Sequence, residues 1–384
     1  MAGEGICMQQ ITCKYTAAFG DYSGYGEAGR NAIRALHASG VGLTTEYVSN
    51  VADQANYGES YEIAKEAEGK DIPYNVKIIH TTPDCYIKYL EPLKYHIGHL
   101  FWETDKLPPL WVWNANLMQE IWTGSEFTKN AFIQSGVTCP IFVYPQAIET
   151  HIPPLKPFHV PHHQGYLFYS IFQWIERKNP KALLTAYWQE FQGEDNVTLL
   201  LKVYRMDFGR DEKSKILQDI DNWKREMPQK HFPRVVVTFK LMNRDDVYRV
   251  HATGDCFVSA HRGEGWGVPQ VEAMSMAKPV ISTSLGGCHE WMKHGETAFL
   301  VGWNKEPVHD MDFVPWYGKD QNWASVDILD LRAKMRYVFM NPGKAVQVGQ
   351  AAQQMVNKTF SYAIVGEQMR LRLEEIERTI IKKL

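Results

Sequence analysis

The stretch of sequence that decides the fold covers residues 255–287 and reads DCFVSAHRGEGWGVPQVEAMSMAKPVISTSLGG. A short apolar run leads into a glycine-rich loop, the loop opens a helix at Pro269, and a second apolar run ends in two glycines. Glu264 lies in the loop and Glu272 in the first helical turn, beside backbone N–H groups that have no partner within a helix. Because carboxylates bind hydroxyl groups and helix N-termini bind phosphates, the pattern predicts a ligand with both, such as a nucleotide sugar.

Length and composition are those of a soluble protein with two domains. The chain has 384 residues, of which 45% are hydrophobic and 22% charged, and its net charge is −3. That charge gives no support to a broad basic face for nucleic acid, although a local basic patch keeps nucleic acid open as a partner. Six cysteines without a C-x-x-C pair predict reduced thiols in a cytoplasmic protein. No apolar run is long enough to span a bilayer, so we expect no stable membrane insertion.

Short β-rich runs alternate with helical patterns, clearly in the second half of the chain and less clearly in the first. This alternation predicts parallel sheets with helices on both faces. Five prolines between residues 145 and 165 predict a linker or hinge. The predicted fold is therefore α/β, with two Rossmann-like parallel-sheet domains that face a central cleft. We expect an N-terminal domain at residues 1–158, a second domain at 159–358 and a final helix at 359–384.

The strands can be placed from these runs, and the stretch 303–323 is expected to be an ordered loop because its aromatic residues would be costly to expose. The strands expected in the second half are Tyr166–Phe172, Val197–Val203, Val235–Phe239, Cys256–Val258 and Pro279–Ser282. Those expected in the first half are Gln10–Tyr15, Leu43–Val48, Val76–His80, His96–Phe101, Glu120–Trp122 and Ile141–Tyr144.

The segment Gly24 to Gly29 fits the pattern G-x-G-x-x-G, and Glu46 follows at the distance of an acidic ribose anchor. Alone, this pattern predicts an NAD-type oxidoreductase. The other interpretation is that the glycines only permit a tight turn.

The loop from Gly263 to Gly267 is more specific. Its three glycines can bring the backbone close to a ligand, and Trp266 can form a wall of the pocket. The alternative is that Glu264 caps the helix and Glu272 only complements its positive end. A bare cap does not explain the second glycine pair at Gly286 and Gly287.

Charged residues follow several other predicted strands. Arg177 and Lys178 could neutralise a leaving diphosphate, since cations at a helix start are otherwise unfavourable. Glu103 and Asp105 could orient an acceptor hydroxyl or take its proton, although Asp105 could equally pair with Lys106. His80 ends a strand and is an acceptor-side candidate, although such a histidine is more often part of the core. The remaining histidines match no zinc arrangement, so no metal site is predicted.

Together these residues resemble the retaining GT-B glycosyltransferases of family four, the group 1 glycosyl transferases. The spacing from Glu264 to Glu272 is similar to the two-glutamate signature of that family. The similarity covers most of the chain from about residue 95 to 302 and is weakest in the first 90 residues. It extends to segments on both sides of the signature, which are Glu103–Pro108, Ser125–Phe127, Arg177–Pro180, Lys278–Ile281, Gly286–Gly287 and Glu290.

The resemblance implies roles for single residues. Glu264 would contact the donor sugar, Glu272 the ribose hydroxyls and Lys178 the diphosphate, while Gly26 would let backbone N–H groups approach the distal phosphate. Gln173 stands where the family usually has an arginine, and Arg177 could substitute for it. The implied catalytic residues are Glu264, Lys178 and Glu103. The implied donor-binding residues are Gly26, Gln173, Arg177, Arg262, Gly265, Trp266, Gly267 and Glu272, and the acceptor side has Asp105 and His80.

The chemistry implied is transfer of a sugar from a UDP-, GDP- or similar donor to a hydroxyl of a glycan, small molecule or other acceptor. The resemblance implies retention of the anomeric configuration and neither a divalent metal nor another cofactor. Two other interpretations stay open: an NAD-type oxidoreductase that uses Gly24 to Gly29, and a nucleotide-sugar binder without catalytic activity, which Gln173 would allow.

Overall fold

The computed structural model describes residues 10–48, 57–205 and 209–379. Its first sheet has six parallel strands in the order β2-β1-β3-β4-β5-β6. The strands are β1 (Thr12–Ala17), β2 (Gly42–Tyr47), β3 (Val76–His80), β4 (Tyr95–His99), β5 (Glu120–Thr123) and β6 (Ile141–Val143). Helices of this half are α1 (Gly24–Ala38), α2 (Glu59–Glu66), α3 (Pro109–Ala115) and α4 (Glu126–Ser135).

The second sheet also has six parallel strands, in the order β12-β11-β10-β7-β8-β9. These strands are β7 (Tyr166–Gln173), β8 (Val197–Tyr204), β9 (Arg234–Thr238), β10 (Cys256–Ser259), β11 (Val280–Thr283) and β12 (Phe299–Val301). The helices between them are α5 (Pro180–Glu190), α6 (Arg210–Glu226), α7 (Arg244–Thr253) and α8 (Val268–Ser275). The predicted pair of parallel-sheet domains is confirmed.

Each sheet has a point where the strand order reverses. In the first sheet this point lies between β1 and β3, and in the second it lies between β7 and β10. Loops that leave neighbouring strands at such a point diverge to opposite faces of the sheet and leave a crevice, where α/β proteins bind ligands. The loops after these four strands are therefore the places to look for a site.

The stretch 303–323 differs from the expected loop. It begins with β13 (Trp303–Pro307), which pairs antiparallel with β14 (Asn322–Val326). The connection between them, residues 308–321, is called the excursion below. Val308, Met311 and Trp323 form a small core under it. Trp323 is therefore buried as expected, whereas Phe313 is exposed, and the strands were not foreseen.

Three helices close the described chain: α9 (Ile328–Met340), α10 (Pro342–Thr359) and α11 (Tyr362–Thr379). The last of these crosses back to the first domain and packs on α1. A side chain at Gly366 would lie 1.9 Å from the carbonyl oxygen of Ala35, so only glycine permits this approach. Arg372 of α11 also pairs at 2.5 Å with Glu120, which is fully buried in the first domain.

The sequence prediction missed α3 and placed the end of β4 two residues too late. The helix is short, and its residues include Trp111, Val112 and Trp113, which favour strands more than helices. The predicted boundary at residue 158 falls between the two sheets, and the one at 358 falls in the last turn of α10. Within the described ranges, no helix has the length and apolar character needed to cross a membrane.

Candidate active site in the interdomain cleft

A cavity of about 440 Å³ lies between the two sheets. Loops after β1, β3 and β4 line it from the first domain, and loops after β7, β9 and β10 line it from the second. The crevices at both reversal points therefore open into the same cavity.

Lys178 and Glu264 form an ion pair in this cavity, at the reversal point of the second sheet. Lys178 ends a 3-10 turn after β7, and the next residue, Asn179, adopts a left-handed conformation and caps α5 through its side chain. Burial opposes ionisation of Glu264, but the charges of Lys178 and Arg177 outweigh it and lower the pKa of Glu264 to about 2. Glu264 is therefore a permanent hydrogen-bond acceptor at neutral pH.

Arg177 connects the two domains beside this pair. Its guanidinium donates to the carbonyl oxygen of Gly263 at 3.0 Å and lies 3.4 Å from the carboxylate of Glu103. The same carboxylate accepts a hydrogen bond from the hydroxyl of Tyr317, at 3.1 Å. Glu103 therefore lies in the cavity, fixed from the second domain by two groups.

Glu272 lines another part of the cavity and lies in the second turn of α8, one turn later than predicted. Its carboxylate forms an ion pair with Arg244 and lies 3.5 Å from Nε2 of His251. Arg244 also approaches Glu27 of α1 at 3.4 Å, so this charge network joins the domains. Burial lowers the pKa of His251, which keeps the imidazole neutral.

The glycines of the loop after β10 have a role that the sequence prediction did not give them. A side chain at Gly263 would lie 2.2 Å from the carbonyl oxygen of Glu103, and one at Gly265 would lie 3.1 Å from that of Trp102. One at Gly286 would lie 2.1 Å from the carbonyl oxygen of Glu264. These glycines let three backbone segments from two domains stack closely. Gly265, Trp266 and Gly267 nevertheless also line the cavity, as predicted.

Residues near the start of α4 make a second junction between the domains. The carboxylate of Glu290 accepts hydrogen bonds from the backbone N–H groups of Glu126 and Phe127, at 3.0 and 2.5 Å. The hydroxyl of Ser125 donates to the carbonyl oxygen of Gly265 at 3.1 Å. Ser125, Phe127 and Glu290, which belong to the segments that resemble the family, therefore hold the two domains together beside the cavity and do not line it.

The reversal point of the first sheet holds two buried histidines. His80 lines the cavity, and its ring stacks on His99 with centroids 4.3 Å apart. The hydroxyl of Tyr15 lies 2.8 Å from Nδ1 of both rings. Since this hydroxyl can donate only one hydrogen bond, the two imidazoles have opposite tautomers. Burial lowers the pKa of His80 to about 3, so the ring is neutral at physiological pH.

Three predicted site residues do not line the cavity: Asp105, Arg262 and Gly26, of which Gly26 is described below. Asp105 accepts hydrogen bonds from the backbone and side-chain nitrogens of Asn322, at 2.7 and 3.0 Å. It pairs with Lys305 and not with Lys106, so both sequence interpretations of Asp105 are wrong. Arg262 is directed away from the cavity because it pairs with Glu176 and Glu306.

The Gly24 to Gly29 segment lacks the geometry of a dinucleotide loop. All three glycines lie within α1, which begins at Gly24, and the N–H of Gly26 points to the hydroxyl of Ser23. A side chain at Gly26 would lie 2.1 Å from the carbonyl oxygen of Asp21, so this glycine permits a tight turn. Glu46, the predicted ribose anchor, pairs with Lys77 at 2.9 Å. The geometry therefore supports neither a phosphate role for Gly26 nor the NAD interpretation.

Lys202 and Arg244 are among the cavity residues that the sequence prediction missed. Lys202 lies in β8, which is otherwise almost entirely apolar, and it lines the cavity. Burial, together with the charge of Arg244, lowers the pKa of Lys202 to about 8. Arg244 begins α7, where a cation is unfavourable without an anionic partner. Two signals in the sequence could have identified them: a lysine in an otherwise apolar strand, and a cation at the start of a helix.

Gln173 also lines the cavity, and its side-chain amide donates to the carbonyl oxygen of Arg205 at 2.9 Å. In the described parts of the chain, no group of three or more His, Cys, Asp or Glu side chains is arranged to hold a metal ion.

Solved structures with the same architecture define the class of fold. HepE of Anabaena, whose structure was determined with UDP-glucose, is 17% identical and superposes with a TM-score of 0.68, over 95% of this chain and 100% of that one. A sucrose-phosphate synthase of Thermosynechococcus elongatus is 13% identical with a TM-score of 0.68, over 96% and 100% of the two chains. The fold is that of the GT-B glycosyltransferases.

Sequence comparison identifies the second domain. Residues 166–309 match the family described as "Glycosyl transferases group 1". A protein named "Putative glycosyltransferase 41", from the Sulfolobus islandicus filamentous virus (isolate Iceland/Hveragerdi), is 22% identical over 263 residues. The match covers 66% of this chain and 65% of that protein. Residues 166–309 are therefore similar to the group 1 glycosyl transferase domain and lie within a GT-B fold.

Proposed function

We propose that the protein is a retaining, metal-independent glycosyltransferase that moves a sugar from a nucleoside diphosphate donor to an acceptor hydroxyl. The observation that carries the proposal is the Lys178–Glu264 ion pair at the reversal point of the second sheet, with Glu272 facing the same cavity. This is the crevice where α/β domains bind nucleotides. HepE, which has the same fold, was solved with UDP-glucose, and this supports a UDP-sugar as the first donor to test.

The donor would lie along the second domain, with its sugar at Glu264 and its ribose at Glu272. The ionised carboxylate of Glu264 can accept hydrogen bonds from sugar hydroxyls. Glu272 keeps acceptor capacity because a carboxylate offers about four lone-pair sites and Arg244 uses one oxygen.

Positive charge for the leaving diphosphate is available from this chain. Lys178 and Lys202 both line the cavity, and Arg177 lies beside them. Lys202 offers a cation near the position where Gln173 replaces the arginine of the resembling family. Cations fixed in a buried site stabilise a leaving diphosphate as its charge develops, which a metal ion would otherwise do.

The transfer step forms a bond between the acceptor oxygen and the anomeric carbon and breaks the bond from that carbon to the diphosphate oxygen. The diphosphate leaves with the electron pair and takes the acceptor proton. Attack on the same face as the leaving group keeps the configuration. It also avoids a need for a carboxylate nucleophile, which Glu264 is poorly placed to supply because Lys178 holds it.

The test is a panel of UDP- and GDP-sugars, with release of the nucleoside diphosphate measured for the wild type, for Glu264→Ala and for Glu194→Ala. Glu194 is exposed in the loop between α5 and β8 and serves as the control. We expect turnover by the wild type and by Glu194→Ala, unchanged by a metal chelator, and none by Glu264→Ala. Normal turnover by Glu264→Ala contradicts the assigned role, and donor binding without turnover by the wild type indicates a non-catalytic binder. NMR of the product tests retention, which an inverted anomeric configuration would refute.

A further inference from the structure

The excursion, residues 308–321, belongs to the second domain but forms a wall of the cavity against the first. Tyr317 stacks on Trp102 with ring centroids 5.1 Å apart, and Trp316 packs on Trp111 at 5.4 Å. Below these rings, Asn322 is held by Asp105, as described above. The wall is therefore fixed in place by contacts at several points along its length.

An exposed aromatic ring lies on the cavity side of this wall. Phe313 is 52% exposed although it lines the cavity. Met311, Val314, Trp316 and Tyr317 line the cavity beside it. Exposed aromatic and apolar surface that lines a cavity is favourable for a ligand with an apolar face.

The carboxylate of Glu103 adjoins this aromatic surface at Tyr317. Glu103 accepts a hydrogen bond from Tyr317 and pairs with Arg177, which also contributes to the low pKa of Glu264. The apolar wall therefore ends close to the place where the donor sugar would react. Glu103 keeps lone pairs that can accept a further hydrogen bond from a hydroxyl.

The charge of the excursion helps to decide what could bind. Asp310 and Asp312 flank Met311, and Asp312 precedes Phe313. Both side chains are exposed and neither lines the cavity, so they contribute negative charge near Phe313, which repels phosphate groups, without contacting a ligand on the ring. This disfavours nucleic acids and other phosphorylated acceptors and favours a neutral, hydroxyl-rich one.

We propose that the excursion forms the acceptor subsite and that its ligand is a neutral pyranoside. One ring face of a pyranose carries mainly C–H groups and would lie on Phe313 and Trp316, while the attacking hydroxyl bonds to Glu103. Tyr317 is a positioning residue, because it acts through Glu103. This assignment rests on the proposed glycosyltransferase function.

The experiment uses UDP-glucose as donor, with p-nitrophenyl glucopyranoside as a neutral acceptor and glucose 6-phosphate as an anionic one. Phe313→Ala is compared with Trp113→Ala, since Trp113 is 68% exposed and does not line the cavity. We expect Phe313→Ala to raise the acceptor KM about tenfold, the order of one aromatic contact. The Kd for UDP and the slow hydrolysis of UDP-glucose without acceptor stay unchanged, and Trp113→Ala behaves as the wild type.

Tyr317→Phe separates positioning from binding, because it keeps the ring on Trp102 and removes the hydrogen bond to Glu103. We expect it to lower kcat for the neutral acceptor about tenfold with little change in KM. A change in the Kd for UDP as large as the change in transfer would overturn the positioning role.

The outcomes distinguish this inference from the proposed function. If the wild type binds UDP and hydrolyses UDP-glucose, but uses only glucose 6-phosphate or neither acceptor, the acceptor subsite is wrong and the proposed function stands. An unchanged acceptor KM in Phe313→Ala overturns the subsite as well. If the wild type turns over no donor of the UDP- and GDP-sugar panel, or if Glu264→Ala transfers normally, the proposed function fails first.

Discussion

The two crevices that open into the cleft differ in charge although the sheets around them are built alike. The crevice of the second sheet holds the Lys178–Glu264 pair and, further along, Glu272 with Arg244. The crevice of the first sheet holds the neutral ring of His80. Burial explains both states: a buried charge needs a partner, and a buried histidine without one stays neutral. The comparison shows how one layered architecture can hold ionised side chains at one reversal point and neutral imidazoles at the other.

The largest effect is expected where the two crevices are held face to face. Arg372→Ala removes the cation that α11 places on Glu120, and this carboxylate is fully buried. The uncompensated charge should lower the free energy of unfolding by about 3–5 kcal/mol, measured by denaturant titration. The control is Arg370→Ala, which loses only pairs within α11, such as that with Glu367, and should cost less than about 1 kcal/mol. Equal losses of stability in the two variants would show that the Arg372–Glu120 pair does not stabilise the contact of α11 with the first domain.

Two conservative substitutions separate the roles of Glu264 and Glu272 in the charged crevice. Glu264→Gln removes the charge at the reacting end and should lower kcat by about 10²–10³, the order found for lost electrostatic stabilisation of a transition state. Glu272→Gln should instead raise the donor Kd about tenfold with a smaller effect on kcat, because ribose binding is the same in the ground and transition states. Steady-state kinetics and calorimetry with UDP measure both effects. The same pattern in both variants would contradict the division of roles.

The charge on Lys202 should make binding of UDP depend on pH. Because the pKa of Lys202 is lowered to about 8, the side chain is a cation at pH 7 and largely neutral at pH 9. The attraction for a diphosphate is lost as the pH rises through 8, so the Kd for UDP should rise several-fold between pH 7 and 9. Lys202→Met should bind more weakly at pH 7 and lose this dependence, whereas Lys181→Met, on the exposed face of α5, should retain it. If the Kd of Lys202→Met for UDP still rose between pH 7 and 9, the titrating group would be a residue other than Lys202.

A further effect is expected at His80, at the reversal point of the first sheet. The pKa of His80 in the folded protein, about 3, is below the unfolded value of about 6.5. The folded state therefore resists protonation, and stability falls as the pH decreases from 6.5 towards 3. His80→Gln keeps a polar side chain that does not titrate, so its free energy of unfolding should fall less than that of the wild type over this range. Identical slopes for the two proteins would contradict a buried, neutral His80.

The sequence predicted the sheets well and the direction of single side chains poorly. Eleven of the twelve sheet strands were placed within about two residues because their apolar runs are strong. The short β12 was not predicted, and β13, with Asn304, Lys305 and Glu306, looked like a loop. Glu264, Glu272 and Lys178 could be predicted to face the cleft because parallel strands deliver their following loops to one edge of the sheet. A local pattern does not tell which way a side chain turns after a strand, so Asp105 and Arg262 were misassigned.

The central claim is that a nucleotide sugar binds in the charged crevice at the start of α8. A crystal structure of the protein with UDP-glucose tests it most directly. The account predicts the diphosphate within hydrogen-bond distance of Lys178, the sugar at Glu264 and the ribose at Glu272. A nucleotide bound instead at the start of α1, with the second crevice empty, would contradict it.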